Sequence, residues 1–106
     1  MDILQKLDND SMQLDDYSMA TIESLLHTPI VQNNINEVEI DNYLTEKYIN
    51  NLYGLLHNEL GISNNAFYIN MRINGYKSSI EYDGRLTLFI LDPDITLKII
   101  KAIRDI

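Results

Sequence analysis

The chain of 106 residues contains no cysteine and no tryptophan, and it has only four glycines and two prolines. The lack of cysteine excludes disulfides, thiolate metal ligands and thiol nucleophiles together. It also suits a reducing compartment, so we expect a cytoplasmic protein. The stretch MDILQKLDND carries an acid at its second position and no long apolar run, so we expect no signal peptide. No segment approaches the roughly 20 apolar residues that a membrane span requires.

Basic residues are scarce in the first half of the chain. The formal net charge is −8, and residues 1–46 hold ten acids and one base, whereas residues 47–106 hold six acids and seven bases. Direct binding to nucleic acid or to an anionic membrane is disfavoured, because both depend on a basic surface. A basic protein partner is favoured. The alternative is that the acids only keep the chain in solution.

The length fits one domain, and we predict that residues 1–106 form a single acidic α+β domain. Apolar residues at helical spacing predict helices at about 17–28, about 42–60 and about 94–105. Acids that can cap or open these helices precede each of them, and Pro29 and Gly61 supply end signals for the first two. Val38 and Ile40 alternate with glutamates, which indicates a short edge strand.

Residues 66–91 are predicted to form a three-stranded antiparallel meander packed against the long helix and the C-terminal helix. The stretch AFYINMRI, residues 66–73, alternates apolar and polar residues, and Asn74-Gly75 is the preferred pair for a two-residue hairpin turn. A three-residue loop ending at a left-handed Gly84 then keeps the apolar residues of the last strand on the buried face. Phe89 and Leu91 point to the opposite face, which suggests that the last strand is covered on both sides or lies centrally.

The sequence contains no strong motif for a catalytic or metal-binding site. His57 and Glu59 are two residues apart on a predicted helix and so point to different sides, and the acids of residues 8–16 do not match a calcium-binding loop. We predict no catalytic residues, no metal site and no cofactor. The seven tyrosines combine apolar area with a polar tip, which favours interfaces, and Tyr43 and Tyr68 are the better interface candidates.

The favoured hypothesis is a small non-catalytic protein that binds and inhibits a basic, nucleic-acid-handling protein. It would present carboxylates where that target expects phosphates, and opposite charge would steer association. Phage-encoded antagonists of host defence, including inhibitors of CRISPR effectors, are often small acidic single domains, so the analogy is one of size and charge. The predicted partner-binding residues are Asp8, Asp10, Asp15, Asp16, Glu37, Glu39, Asp41 and Tyr43.

Three alternatives stay open. One is an immunity protein for a nuclease toxin, which would use the same acidic surface. Another is a dimeric secretion chaperone or virion component, in which exposed Phe89 and Leu91 and an edge strand bury against a second copy. The third is a small enzyme that uses His57 and Glu59. Both a monomer and a homodimer are compatible with the sequence.

Overall fold

The fold joins a two-stranded antiparallel sheet to helices that pack on both of its faces. The computed structural model describes residues 15–104. The helices are α1 (Asp16–Leu25), α2 (Pro29–Gln32), α3 (Asn42–Lys47), α4 (Leu52–Gly54), α5 (Asn64–Ile73) and α6 (Pro93–Arg104). A π-helical segment, Leu55–Glu59, continues α4, and Ser79–Glu81 forms a 3₁₀ turn. The strands are β1 (Ile35–Glu39) and β2 (Thr87–Leu91), so the α+β class is confirmed.

The first and last helices begin at the acids that the sequence indicated. The carboxylate of Asp15 accepts a hydrogen bond from the Ser18 N–H at 2.7 Å and caps α1. Asp92 does the same for α6, because its Oδ1 accepts from the N–H groups of Asp94 and Ile95. Helix α1 ends at Leu25, earlier than predicted, and Pro29 opens the short helix α2.

The predicted long helix over 42–60 is interrupted. Helix α3 ends at Lys47, and Asn50 adopts a left-handed conformation with φ of 62°. Asn51 then caps a new helix, since its side-chain oxygen accepts from the Gly54 N–H at 2.9 Å. A Cβ on Gly54 would lie 2.6 Å from Asn51 Nδ2, so the glycine permits the close approach of the capping side chain. Gly61 has the left-handed φ of 70° expected of a residue that ends a helix.

The three-stranded meander predicted for residues 66–91 is wrong, because its first strand is helix α5. Asn74-Gly75 does not form a hairpin turn and instead ends this helix. The Gly75 N–H donates to the Arg72 carbonyl at 3.0 Å and the Tyr76 N–H to the Met71 carbonyl at 3.2 Å, with Gly75 at φ of 84°. This bonding pattern is a Schellman motif. A left-handed Gly75 suits either a hairpin or a helix end, so the turn signal did not separate the two structures.

The second predicted hairpin is also absent from the described part of the chain. Residues 76–86 contain the 3₁₀ turn Ser79–Glu81 and no strand. Gly84 does have the predicted left-handed φ, at 89°, but it lies in a loop. Tyr76 and Tyr82, on either side of the 3₁₀ turn, are buried with their rings edge to face. The segment therefore contributes aromatic packing in place of strand pairing.

The sheet is formed by β1 and β2 alone among residues 15–104. They run antiparallel with Ile35 opposite Leu91, Glu37 opposite Phe89 and Glu39 opposite Thr87. Sequence analysis indicated both strands, but it expected β2 to pair with the segment before it. The observed pairing joins residues about fifty positions apart in the sequence.

Two apolar clusters cover the two faces of β2. On one face Leu88 and Ile90 pack with Leu52, Leu55 and Tyr82. On the other face Leu91 packs with core residues from several helices: Ile22, Val31, Ile69 and Ile99. The expectation that the last strand is covered on both sides is confirmed. Leu91 is 1% exposed, so the expectation of an exposed Leu91 that buries against a second copy is wrong.

The outer edge of β2 is closed by two asparagine side chains from the end of α5. Asn74 donates from Nδ2 to the Phe89 carbonyl at 2.8 Å and accepts the Phe89 N–H at 2.7 Å. Asn70 Oδ1 accepts the Leu91 N–H at 2.8 Å. Asn70 and Asn74 are 1% and 2% exposed. The two carboxamides thus take the place that a third strand would have.

Candidate functional site

The predicted partner-binding residues fall on two parts of the molecule. Asp8 and Asp10 lie outside the described residues. Asp15 and Asp16 begin α1, and the remaining four residues follow one another along β1 and into α3. All six described residues are exposed at the surface: Asp15, Asp16, Glu37, Glu39, Asp41 and Tyr43.

The strand β1 bonds to β2 along one edge, and its other edge bonds to no element among residues 15–104. The Ile40 N–H donates to the Leu86 carbonyl at 2.7 Å, which fixes the phase of the ladder. Since main-chain bonding to one neighbour recurs every second residue, Asn36 and Val38 direct their backbone groups at β2. The backbone groups of Ile35, Glu37 and Glu39 point away from β2. No group within residues 15–104 hydrogen-bonds to them.

The side chains of Glu37 and Glu39 lie on one face of the sheet, because side chains two apart on a strand share a face. Their cross-strand neighbours are Phe89 and Thr87, and the Thr87 hydroxyl donates to Glu39 Oε1 at 2.8 Å. Asp41 stands at the N-cap position of α3, where its side chain makes no capping bond. Tyr43 follows in the first turn and is 65% exposed. We call Glu37, Glu39 and Asp41, together with Tyr43, the acidic edge.

No hydrogen bond or ion pair between the described residues joins Asp15 or Asp16 to the acidic edge. The hydrogen bond from the Ser18 N–H lowers the pKa of Asp15. This carboxylate therefore has a structural role at the start of α1, and its replacement would alter folding as well as charge. Asp16 does not have this capping role, since the Ser18 N–H donates to the side chain of Asp15.

The two ion pairs among residues 15–104 leave the predicted acids out. Arg72 Nε lies 2.8 Å from Glu23 Oε1 and links α5 to α1, and Arg85 Nε lies 3.7 Å from Asp83 Oδ1. The acidic edge thus carries its charge without a basic partner from the described part of the chain. That arrangement leaves its charge available to a second molecule.

A separate polar cluster lies around Tyr76. Its hydroxyl donates to Asp83 Oδ1 at 2.5 Å, and the Arg85 guanidinium sits 4.6 Å from the centre of its ring. Burial, helped by the hydrogen bond to Asp83, raises the pKa of Tyr76 to about 12. The same hydrogen bond lowers the pKa of Asp83. Burial also raises the pKa of Tyr82. These groups hold the loop between α5 and β2 in place.

His57 and Glu59 are each engaged by different neighbours. His57 Nδ1 lies 2.9 Å from the Ile62 carbonyl and its ring stacks on Tyr53, whereas Glu59 accepts from the Tyr48 hydroxyl at 2.6 Å. The described residues contain no group of three or more His, Asp or Glu side chains that could hold a metal ion. None of the helices in the described part of the chain is both long and apolar enough to cross a membrane.

The two tyrosines predicted as interface candidates differ in their surroundings. Tyr43 is exposed, and Tyr48 and Tyr82 belong to the core. Tyr68, the second interface candidate, is half-buried and packs against both apolar clusters, so it supports the core. Sequence reasoning missed the open backbone edge beside Glu37 and the closure of β2 by Asn70 and Asn74. The one available signal was that these asparagines recur four residues apart, which places them on one side of a helix.

Comparisons with protein-family models, with curated proteins and with solved structures find no match to this chain. The functional argument therefore depends on the geometry and charge of the residues described above.

Proposed function

We propose that this protein is a small non-catalytic acidic protein that binds a basic, nucleic-acid-handling protein through the acidic edge and inhibits it. The observation that supports the proposal is the edge itself. Glu37, Glu39 and Asp41 recur at every second residue, are exposed and form no ion pair within residues 15–104. A target that normally grips phosphates presents lysine and arginine at comparable spacing, and these side chains pair with carboxylates.

Under this proposal, the protein inhibits its target by occupying the basic groove that binds nucleic acid. A basic groove filled by carboxylates is closed to the phosphates of its nucleic acid, so no chemical step by the inhibitor is required. Tyr43 would add apolar contact beside the charges, as aromatic residues do in interfaces. A phage-encoded antagonist of a host defence effector, such as an anti-CRISPR inhibitor, would act in this way in the host cytoplasm. An immunity protein that blocks a nuclease toxin would use the same surface, and the identity of the captured partner separates the two.

The test begins with affinity capture of a partner by the full-length chain and continues with purified proteins. Glu37→Gln with Glu39→Gln removes two charges from the acidic edge. Glu81→Gln with Asp94→Asn removes two exposed charges elsewhere and is the matched control. We expect at least tenfold weaker binding for the first pair, a minor effect of the second, and affinity that falls steeply as salt rises.

Equal binding by the wild type and the acidic-edge variant, with little dependence on salt, would contradict the proposal. A circular dichroism spectrum of each variant controls for folding. Asp15 is left unchanged in these variants because it caps α1.

A further inference from the structure

We infer that the outer edge of β1 is a strand-addition site, at which an extended basic segment of the partner pairs with the backbone of Ile35, Glu37 and Glu39. This inference rests on the proposed function, because it assigns a binding mode to the same acidic edge. Addition of a strand to an open sheet edge supplies affinity through main-chain hydrogen bonds and specificity through alternate side chains.

The two edges of the sheet differ in how their backbone groups are satisfied. On β2, carboxamides from Asn70 and Asn74 bond the outward N–H groups of Leu91 and Phe89 and one outward carbonyl. On β1, the outward groups receive no hydrogen bond from residues 15–104. An uncovered row of donors and acceptors is a template for another strand. Among residues 15–104, buried side chains thus close the edge of β2, while the edge of β1 stays unbonded with carboxylates beside it.

The alternation of side chains along β1 predicts which types of residue the added strand carries at successive positions. Residues of that strand opposite Glu37 and Glu39 place their side chains on the same face as these carboxylates. Those two positions are themselves two residues apart. The expected segment therefore has lysine or arginine at alternate positions. The residue between them faces the side of half-buried Val38, where an apolar or β-branched side chain fits.

A second copy of this chain is a poor occupant of the same edge. In an antiparallel pairing of two β1 strands centred on Glu37, the two Glu37 side chains face each other. A pairing centred on Val38 places Glu37 opposite Glu39 twice. Like charges directly opposite each other on neighbouring strands destabilise the pairing. One centred on Asn36 sets Glu37 opposite Ile35 and avoids this repulsion, but it joins only residues 35–37 of each five-residue strand. Charge thus favours a basic partner over a homodimer through β1.

The experiment uses the full-length ¹⁵N-labelled protein and a blocked nine-residue peptide in which lysine alternates with valine and threonine. Two further peptides carry equal numbers of backbone N-methyl groups, placed on the lysines in one and on the intervening residues in the other. All three peptides have the same charge. The two methylated peptides also carry the same number of methyl groups, so a comparison of these two reports which N–H groups bond to an adjoining strand. Binding is followed by amide shifts and by hydrogen exchange of β1.

The unmodified peptide is expected to slow exchange at Ile35, Glu37 and Glu39. Antiparallel addition predicts at least tenfold weaker binding when the lysine nitrogens are methylated and little change when the others are. Parallel addition predicts the opposite result: weaker binding when the intervening residues are methylated and little change when the lysines are. Either result supports the inference. Equal binding of all three peptides would overturn it, and so would slow exchange at Glu37 and Glu39 in the peptide-free protein, because the edge would then be filled already.

The same peptides separate failure of this inference from failure of the proposed function. If all three bind equally well but lose affinity to the protein with Glu37→Gln and Glu39→Gln, the carboxylates attract a basic partner without strand addition. The strand-addition inference is then overturned, and the proposal that the acidic edge binds a basic partner is kept. If none of the three binds more tightly than an uncharged peptide, both fail.

Discussion

Asn74 is the residue on which closure of the sheet depends most. Its carboxamide bonds both the N–H and the carbonyl of Phe89 and also donates to the Asn70 carbonyl. We expect Asn74→Ala to lower the free energy of unfolding by about 2–3 kcal/mol, because it leaves buried backbone groups without partners. Asn65→Ala, in the first turn of the same helix and less buried, is the control and should cost much less. Urea unfolding followed by circular dichroism measures both, and equal effects would contradict the assigned role.

Tyr76 should make stability depend on alkaline pH. Burial and the hydrogen bond to Asp83 raise the pKa of Tyr76 to about 12 in the folded state. A group whose pKa is raised by folding contributes stability below its unfolded pKa, near 10, and this contribution is lost as pH rises through the folded value. We therefore expect the urea midpoint to fall between about pH 10 and pH 12, and to fall less steeply in Tyr76→Phe. Parallel pH profiles for the two proteins would contradict this assignment.

At the scale of elements, substitutions at Asn50 test the break between α3 and α4. A broken helix and a continuous helix predict opposite orders of stability for the glycine and alanine variants. Asn50 has a φ of 62°, a conformation that favours glycine over alanine by roughly 1 kcal/mol. In an uninterrupted helix the order reverses, because alanine is about 1 kcal/mol better than glycine. We expect Asn50→Gly to be more stable than Asn50→Ala in thermal or urea unfolding. The reverse order would support the continuous helix over 42–60.

The elements also show where sequence patterns were sufficient. Caps at Asp15 and Asp92 are local, and both helices begin where those residues predict. Helix α5 was taken for a strand because its apolar residues at 67, 69, 71 and 73 alternate. The buried set in the structure includes Ala66, Ile69 and Asn70, which has helical spacing. Asn70, which alternation assigned to a polar face, and Asn74, assigned to a hairpin turn, are in fact buried. Their burial depends on hydrogen bonds to β2, a strand that neither prediction joined to them.

At the scale of the whole molecule, the acidic character of the first half was readable directly from the sequence, since charge needs no folding to be counted. That Glu37 and Glu39 share one face of a short strand also followed from their spacing of two residues. The absence of backbone hydrogen bonds to the outer edge of β1 within residues 15–104 could not be predicted in the same way. An edge is open or closed according to which distant elements reach it, and here α5 reaches β2.

The most direct test of the central claim is amide hydrogen exchange along the sheet, measured in the free protein and in its complex with the captured partner. In the free protein we expect fast exchange at Glu37 and Glu39 and slow exchange at Leu88 and Ile90, which face β1 in the ladder. Binding should slow exchange at Glu37 and Glu39 and leave β2 unchanged. Exchange at β1 that does not change on binding, with protection appearing on another surface, would contradict the account.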